Sequence, residues 1–401
     1  MCVKIIIDDF YIEERKKVYV ADFLTLEDYG RFCEAIGFQL QGGSAFLIKN
    51  LRLNENKIIQ REDCFELNTD NIRSKVQIEH NENSYLLGFT FDFGQNPEHQ
   101  DVLTKISKNE VQIIQRQNAQ NYPTDFAIED MISSNNVEVW VNNVGQGNWN
   151  EVRVNGITKL VYDMGANIHA DKTEIDHINN RILRRYTQKP LLVLSHWDKD
   201  HYHCLLGDLG GNAAGLFSGF VYPNVIPNAT SEKLLEKMKT LLGNEKMHPI
   251  NIENKRNWMP AIPVKFLGSN LFSLYKGQHS PDRNLGGIQL VVESDTSTSV
   301  LCGDCHWYQL EHILNQHIAS LGGSNKTCNI VVPHHGSATD ETYQSFFVPF
   351  NMKNGIAAIS VDENRNDYKH PSNSIINYLY STKFTVKRTD RQTTPEDIII
   401  T

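Results

Sequence analysis

Short apolar runs alternate with polar segments along most of the chain. Runs such as Leu191-Leu-Val-Leu194 and Asn329-Ile-Val-Val332 have the length and branched side chains of buried strands. Longer polar segments between such runs are typical of helices: 171–188, 231–242, 307–320 and 373–382. This alternation is too irregular for one doubly wound sheet. The pattern from residue 136 onward predicts an α/β sandwich of two mixed sheets flanked by helices.

The first 135 residues predict a separate small α+β module. Strand-like runs stand at 17–21, 45–48, 75–78 and 85–91, and a helix is expected at 26–36. The segment 118–136, with Pro123 and polar residues at both ends, has the composition of a boundary. We therefore expect two domains, residues 1–135 and residues 136–401, and the pattern assigns no role to the first.

Composition is that of an ordinary soluble protein. The 401 residues are 22% charged and 40% hydrophobic. No apolar stretch approaches the roughly 18 to 20 residues that span a bilayer, so we expect a cytoplasmic protein without membrane association. The seven cysteines are an odd number, which favours free thiols over a disulfide framework.

Charge and histidine are distributed in opposite ways. Residues 1–135 hold 14 Lys+Arg against 22 Asp+Glu, whereas residues 136–401 hold 25 against 26. Only two of the 15 histidines, His80 and His99, lie in the first 135 residues. The acidity thus belongs to the N-terminal module, and the residues suited to chemistry belong to the second domain.

The densest group of such residues is the heptapeptide 195–201, Ser-His-Trp-Asp-Lys-Asp-His, directly after the strand-like run 191–194. Four of its side chains are metal-ligand types: His196, Asp198, Asp200 and His201. Imidazoles and carboxylates at a strand's end can point to two sides of the following turn, so one segment can serve two adjacent metal ions. A solvated polar loop is the alternative, because His and Asp are common in turns.

Further segments repeat this design. Asp304 follows the run Val300-Leu-Cys302, His334 and His335 follow 331–333, and His370 stands before Pro371. One such residue alone would more often be a capping aspartate or a hydrogen-bonded histidine. Their recurrence in one domain favours a shared metal centre. The CxxC formed by Cys302 and Cys305 is weak evidence by itself for zinc or redox chemistry.

In this order the motifs resemble the metallo-β-lactamase superfamily, with the closest likeness to the soluble nuclease-like domain of the competence protein ComEC and its relatives. The likeness covers about 265 residues and does not reach residues 1–135 or the membrane channel of the competence protein, so it does not imply DNA uptake. The matching motifs are VNNVGQGNWNEV from Val141, YDMG from Tyr162, LSHWDKDH from Leu194, CGDC from Cys302, VPHHGS from Val332, YKHP from Tyr368 and KRTD from Lys387.

The resemblance implies an αββα fold and a dinuclear metal centre. His196 and Asp198 would hold one ion, Asp200 and His201 the second, and Asp304 would bridge them. A further ligand would come from the double histidine, with His335 favoured and His334 as the alternative. Asp163 would orient the ligand loop without binding metal. Such support is expected because an imidazole that binds a metal through one nitrogen needs its other nitrogen held by a hydrogen bond.

The sequence departs from the family pattern in several places. Asp198 replaces a histidine, and this harder ligand makes Mn²⁺ as suitable as Zn²⁺. Asn148 replaces an aspartate after the GQG turn, and Tyr202-His203-Cys204 replaces two glycines, which makes His203 an extra polar group. The superfamily's intermediate histidine has no clear counterpart, and His279 and Asn284 are the candidates for a weak ligand.

The chemistry implied is hydrolysis by a hydroxide that bridges two ions. Asp200 would belong to the catalytic centre, and His370 or His334 would supply a proton to the leaving oxygen. Alternatively, His370 is structural and Pro371 starts a helix. Lys387 and Arg388 would contact a phosphate or else be solvated.

The substrate is less constrained than the reaction. We expect a phosphodiesterase or nuclease acting on nucleic acid or small nucleotides, although neither part of the chain is basic. Small phosphodiesters, cyclic nucleotides and phospholipid headgroups stay open. One alternative is hydrolysis of a lactone, thioester or other carboxylic ester. The other is a regulated effector in which residues 1–135 bind a protein partner or self-associate.

Overall fold

The computed structural model describes most of the chain and divides it into two compact units. The first unit comprises Met1–Ala119, His169–Ile175 and Val225–Met238, and the second comprises Gln120–Ile168, Asp176–Asn224 and Lys239–Thr401. The described residues are 1–38, 43–51, 59–94, 102–107, 111, 136–210, 215–252, 261–264, 271–277, 280, 282–320, 326–338, 341–346, 348, 352–362, 368–390 and 397–401. The predicted boundary at 118–136 lies almost entirely outside them, so the division into two domains at that point stays a prediction.

Among the described residues, the first unit contains a seven-stranded sheet, two helices near the N-terminus and most of a third helix at Ala229–Leu242. In order across the sheet the strands are β5-β6-β3-β2-β1-β4-β7. Helix α1 begins after Thr25, whose side chain accepts a hydrogen bond from the Asp28 backbone N–H, and ends at Gly37 in the left-handed conformation. The strands are β1 (Cys2–Glu13), β2 (Lys16–Phe23), β3 (Ala45–Lys49), β4 (Cys64–Asn68), β5 (Gln77–His80), β6 (Leu87–Asp92) and β7 (Leu103–Lys105), and the helices are α1 (Leu26–Ile36) and α2 (Thr69–Lys75).

Buried aromatic side chains form the core of this unit. Phe23 lies within ring-contact distance of Phe32 and Phe46, and Phe32 contacts Phe89 and Phe91. All five are at most 1% exposed. The strand predicted at 75–78 begins two residues later, at Gln77. Helix α2, whose N-terminus is capped by Asn68, extends to Lys75 and so occupies the start of the predicted strand.

The second unit contains two seven-stranded mixed sheets. One has the order β13-β12-β11-β10-β9-β8-β21 and the other β14-β15-β16-β17-β18-β19-β20. The strands of the first are β8 (Val137–Val141), β9 (Asn150–Val154), β10 (Ile157–Tyr162), β11 (Leu191–Val193), β12 (Gly219–Pro223), β13 (Met247–Ile250) and β21 (Ile398–Ile400). Those of the second are β14 (Ile262–Val264), β15 (Phe272–Lys276), β16 (Ile288–Glu293), β17 (Ser297–Leu301), β18 (Thr327–Val331), β19 (Lys353–Ile359) and β20 (Thr385–Arg388).

Alternation along the strands determines what each sheet face packs against. Leu160 and Tyr162 of one sheet share a buried cluster with Leu290 and Leu301 of the other, so the two sheets pack face to face. Val291 and Val300 point to the opposite face, where they pack with residues of two helices: Leu310, Ile313, Leu314, Ile375 and Leu379. These two helices are α6 (Trp307–Ser320) and α7 (Asn373–Ser381). The other helices of the described residues after α2 are α3 (Lys172–Leu183), α4 (Lys199–Leu206) and α5 (Ala229–Leu242).

The observed layers confirm the predicted fold class, an αββα sandwich of two mixed sheets together with a small α+β unit. The strands β10 to β13 run parallel, as do β17 to β20. Their carboxyl ends therefore lie at common edges of the sheets, where loops carry the polar motifs. Within the described residues, none of the helices combines the length and apolar character needed to cross a bilayer.

Candidate metal centre

The loops after four strands of the second unit bring the histidine and aspartate motifs together. Asp163 follows β10, His196 follows β11, Asp304 follows β17 and His335 follows β18. These side chains are between 0% and 4% exposed. A buried group of ionisable side chains at the ends of parallel strands is the arrangement expected of a ligand or active site.

The heptapeptide turns directly from strand β11 into helix α4. Asp198 stands at the N-cap position of this helix, with extended backbone dihedrals, but its side chain makes no capping hydrogen bond. Its Oδ2 atom instead lies 3.2 Å from Nε2 of His196. Asp200 and His201 follow in the first turn of the helix. The carboxylate of Asp198 is therefore directed toward the centre and not toward the helix backbone.

Two overlapping groups of ligand-type atoms form at this point. His196, His201 and Asp304 make one group, and Asp200, His201 and His335 make the other, with the atoms of each group within 4.8 Å of one another. The Nε2 atom of His335 lies 3.2 Å from Oδ2 of Asp200. Since His201 belongs to both groups, the two lie side by side.

Asp304 belongs to the first group and contacts the histidine that both groups share. Its Oδ1 atom lies 3.1 Å from Nε2 of His201, and its Oδ2 atom lies 3.9 Å from Nε2 of His196. The same Oδ2 atom is 3.8 Å from Nε2 of His334. Oδ1 thus faces the histidine that the two groups share, and Oδ2 faces His196 and His334.

The two adjacent histidines, His334 and His335, have an unusual backbone conformation and contact different residues of the centre. His334 and His335 both have a φ of 50°, in the left-handed region, so their side chains diverge. The His335 ring is buried, with Nδ1 held 2.8 Å from the carbonyl oxygen of Ser360 and Nε2 facing Asp200. His334 is partly exposed, and its Nδ1 lies 3.2 Å from Nδ2 of Asn284.

Asp163 holds the ligand loop from behind. Its Oδ1 accepts the Ser195 backbone N–H at 2.7 Å, and its Oδ2 accepts the Ser195 hydroxyl at 2.8 Å. The same Oδ2 lies 2.8 Å from Nδ1 of His201, and the Ser195 hydroxyl lies 2.9 Å from Nδ1 of His196. Both imidazoles are therefore fixed through Nδ1, which directs Nε2 toward the centre.

Two glycines permit the close approach of these loops. A Cβ atom on Gly303, whose φ is +55°, would lie 2.8 Å from Cβ of Ser195. A Cβ atom on Gly165 would lie 1.6 Å from the carbonyl oxygen of Asp200, which accepts the Asn148 backbone N–H. Any side chain at either position would displace a loop of the centre.

Buried nitrogen and oxygen atoms show how well a cation fits here. Among the described residues, the Nε2 atoms of His196, His201 and His335 and Oδ1 of Asp304 are buried and make no hydrogen bond of normal geometry. Orphaned buried polar atoms are costly unless a ligand or ion satisfies them. Imidazole nitrogens mixed with carboxylate oxygens are donors that divalent metal ions such as Zn²⁺ and Mn²⁺ accept, so the residues fit a divalent cation.

The electrostatics favour positive charge at the same point. Burial works to lower the pKa of His201, but the carboxylates of Asp304, Asp163 and Asp200 raise it well above its usual value. Burial works to raise the pKa of Asp304, but His201 and His334 hold it well below its usual value. Without a metal ion the carboxylates thus draw protons onto the imidazoles, and a divalent cation would replace those protons.

Other predicted residues lie around the centre. Asn284 is 4% exposed, and its Oδ1 atom is buried without a hydrogen-bond partner among the described residues. The His370 ring lies 5.6 Å from that of His334. Burial and the neighbouring His334 and His335 lower the pKa of His370 to about 3, so its imidazole is neutral at pH 7. His279 lies outside the described residues.

The side chains of four further predicted residues are not part of the two ligand groups. Asn148 supports the loop through its backbone, donating to the carbonyl of Asp200 and accepting from Gly165. Nδ1 of His203 lies 2.9 Å from the carbonyl oxygen of Asn167. Arg388 pairs with Asp390, to which its Nε donates at 2.9 Å, and Lys387 is half-buried in β20.

Sequence reasoning missed two residues that contact the centre. Ser195 precedes the ligand-type residues of the heptapeptide, and its hydroxyl links Asp163 to the ring of His196. Arg283, one position before Asn284, places Nη1 3.4 Å from Oδ1 of Asp198. A basic residue beside a candidate ligand was the only signal for Arg283, and it lies far from Asp198 in the chain.

Comparisons with known proteins give the fold a context. No protein-family model matches the chain, and no curated protein matches it. Tm1679, described as a metal-dependent hydrolase of the β-lactamase superfamily, is a similar solved structure with 11% identity, covering 66% of this chain and 99% of its own, at a TM-score of 0.40.

Two further solved structures are similar. YhfI from Bacillus subtilis, a metallo-β-lactamase fold protein, has 11% identity over 56% of this chain and 98% of its own, at a TM-score of 0.29. A variant of the CmlA β-hydroxylase has 12% identity over 76% of this chain and 66% of its own, at a TM-score of 0.35. All three similarities have identities of 11% to 12% and TM-scores below 0.5.

Proposed function

We propose that the chain is a dinuclear metal-dependent hydrolase whose substrate is a phosphodiester, either in a nucleic acid or in a small nucleotide. The observation that carries this proposal is the convergence of three buried, unsatisfied imidazole nitrogens with the carboxylates of Asp200 and Asp304. A purely structural cluster would satisfy these atoms with hydrogen bonds.

The residues divide into two ligand sets. His196 and Asp198 would hold one ion, and Asp200, His201 and His335 would hold the other. Asp304, whose Oδ2 faces His196 and whose Oδ1 faces His201, would bridge the two ions. Two divalent ions bound here would lower the pKa of a shared water and neutralise charge on a phosphoryl oxygen.

Side chains around the ligands would orient the ligand imidazoles and contact the leaving group. Asp163 and Ser195 hold the imidazoles of His196 and His201 in fixed orientation, so that binding a cation needs no rearrangement. His334 lies 3.8 Å from Oδ2 of Asp304, and its ring is in edge-to-face contact with that of His370. From this position an imidazole N–H can donate a hydrogen bond to the leaving oxygen of the substrate.

The test is a substrate panel with metal-stripped protein to which Mn²⁺ or Zn²⁺ is returned. We expect release of p-nitrophenol from bis(p-nitrophenyl) phosphate, and cleavage of single- or double-stranded DNA if the substrate is a nucleic acid. Asp200→Ala should reduce the rate to background. Asp295→Ala, which removes an exposed carboxylate in the turn between β16 and β17, should leave the rate unchanged.

Other outcomes separate the alternatives. Metal-loaded protein that cleaves a lactone or thioester but no phosphodiester would make the chain a carboxylic-ester hydrolase and contradict the proposed substrate. Activity that appears only with a protein partner, and that is lost on removing residues 1–130, would favour the regulated effector.

A further inference from the structure

Arg283 contacts the candidate centre from a loop outside the ligand motifs. Its side chain is 10% exposed, and Nη1 donates to the carbonyl oxygen of Trp197 at 3.1 Å. The same nitrogen lies 3.4 Å from Oδ1 of Asp198, whose side chain is 11% exposed. An exposed ion pair contributes little, but this pair is almost entirely removed from water.

The loop that carries Arg283 is itself fixed on both sides. Asp282 Oδ1 accepts the backbone N–H of Asn284 at 3.0 Å, and Asp282 Oδ2 lies 3.2 Å from Nε2 of His306. Asn284 contacts His334. The guanidinium is therefore held by its backbone as well as by its own contacts.

The two oxygens of Asp198 face different partners. Oδ2 lies 3.2 Å from Nε2 of His196, whereas Oδ1 faces Arg283. The helix backbone does not orient this carboxylate, because Asp198 makes no capping bond to α4. The guanidinium of Arg283 therefore lies where it can hold Oδ1 of this carboxylate.

We propose that Arg283 is a positioning residue that holds Asp198 so that only Oδ2 is offered to the ion shared with His196. This rests on the proposed dinuclear centre. A carboxylate tied through one oxygen binds a cation through the other, as a single-oxygen ligand. A planar guanidinium that donates to the Trp197 carbonyl and forms an ion pair with the Asp198 carboxylate fixes this geometry better than a flexible ammonium group.

Metal binding measures this role without requiring activity. Isothermal titration of the metal-stripped protein with Mn²⁺ should show that Arg283→Gln weakens one of two sites about 10–100-fold and leaves the other unchanged. Arg283→Lys should recover part of the loss. With Co²⁺ as the probe, the visible absorption bands should shift in Arg283→Gln, because they report ligand geometry.

Arg153→Gln is the matched control. Arg153 has the same 10% side-chain exposure and pairs with buried Glu151 in the first sheet of the second unit, away from the ligand groups. This variant should lower thermal stability without changing metal affinity or the Co²⁺ spectrum. If Arg283→Gln behaves in the same way, its role is merely structural and the proposal is wrong.

A double-mutant cycle tests whether Arg283 acts through Asp198. In an Asp198→Asn background, Arg283→Gln should cause little further loss of metal affinity. Additive losses would overturn the proposal. The two proposals fail separately: wild-type protein that binds no metal contradicts the dinuclear centre, whereas wild-type binding with no change in Arg283→Gln contradicts only the role of Arg283.

Discussion

The Oδ2 atom of Asp163 lies 2.8 Å from Nδ1 of His201, and both side chains are fully buried. A carboxylate can only accept, so Nδ1 of the imidazole must carry the proton that it donates. The other nitrogen, Nε2, is thereby directed toward Asp304 and Asp200, where a bound cation would replace its proton. This pair thus determines the metal-binding state of a residue common to both ligand groups.

Asp163→Asn should weaken metal binding although it removes none of the proposed ligands. The amide can present an N–H to His201, which would reverse the ring's tautomer and point a proton at the cation. We expect a loss of about 10–100-fold in metal affinity by calorimetry. Asp295→Asn is the control and should bind as wild type. Unchanged affinity in Asp163→Asn would show that this contact does not orient the ligand.

Gly303→Ala should destabilise the protein more than the same change at Gly156. Both glycines have a positive φ, +55° and +76°, but a Cβ atom on Gly156 meets nothing within 4 Å, whereas on Gly303 it meets Ser195. Left-handed strain should cost about 1 kcal/mol in each, and the displaced Ser195 loop a further 1–3 kcal/mol in Gly303→Ala. Urea unfolding measures both, and equal losses would mean that the loop yields easily.

A buried network away from the centre should contribute to acid sensitivity. Glu293 accepts hydrogen bonds from Thr298 at 2.6 Å and Lys326 at 2.6 Å, and its Oε1 lies 2.7 Å from Nε2 of His317. Burial opposes ionisation, yet these donors lower the pKa of Glu293 below its usual 4.5. A lowered pKa in the folded state gives stability that is complete above pH 4.5 and is lost as the pH falls through the folded-state value.

Glu293→Gln should therefore be less stable than wild type at pH 7, by roughly 2 kcal/mol. The gap should shrink as the pH falls below 4.5, because wild type then loses its advantage. Thermal unfolding of metal-free protein between pH 7 and pH 3 measures the gap. A gap that stays constant over this range would contradict the role of the charge.

Chelation should abolish hydrolysis without unfolding the chain. The buried clusters that join the two sheets and the outer helices contain none of the proposed metal ligands, so the core does not depend on the ions. The far-UV circular dichroism spectrum should be retained after chelation. Adding the metal at about 100 times its dissociation constant should raise the free energy of unfolding by about 2.7 kcal/mol. Loss of the folded spectrum on chelation would mean that the metal is required for folding.

The sequence predicted those features that repeat along the chain. Strands recognised from apolar runs end where the structure places Asp163, His196, Asp304 and His335, because the polar residues that follow a parallel strand gather at one edge. The left-handed turn at His334 could not be predicted, since that backbone is unusual for residues other than glycine.

Contacts between distant segments were equally hidden. Arg283 contacts Asp198 because the loop before β16 lies against the turn before α4. The pattern of hydrophobic and polar residues does not predict a contact between these two loops. Similarly, the residues of Val225–Met238 belong to the same compact unit as the first strands, and Asn228 donates to Asp8 at 3.2 Å. Tertiary packing of this kind has no local sequence signature.

The number of metal ions bound per chain tests the dinuclear centre most directly. Metal-stripped wild-type protein dialysed against Mn²⁺ or Zn²⁺ and measured by elemental analysis should hold two ions per chain. Asp304→Ala, which removes the proposed bridging carboxylate, should hold markedly fewer ions, and Asp295→Ala should hold two. Wild-type protein that binds no ion, or an Asp304→Ala variant that keeps two, would contradict the proposed centre.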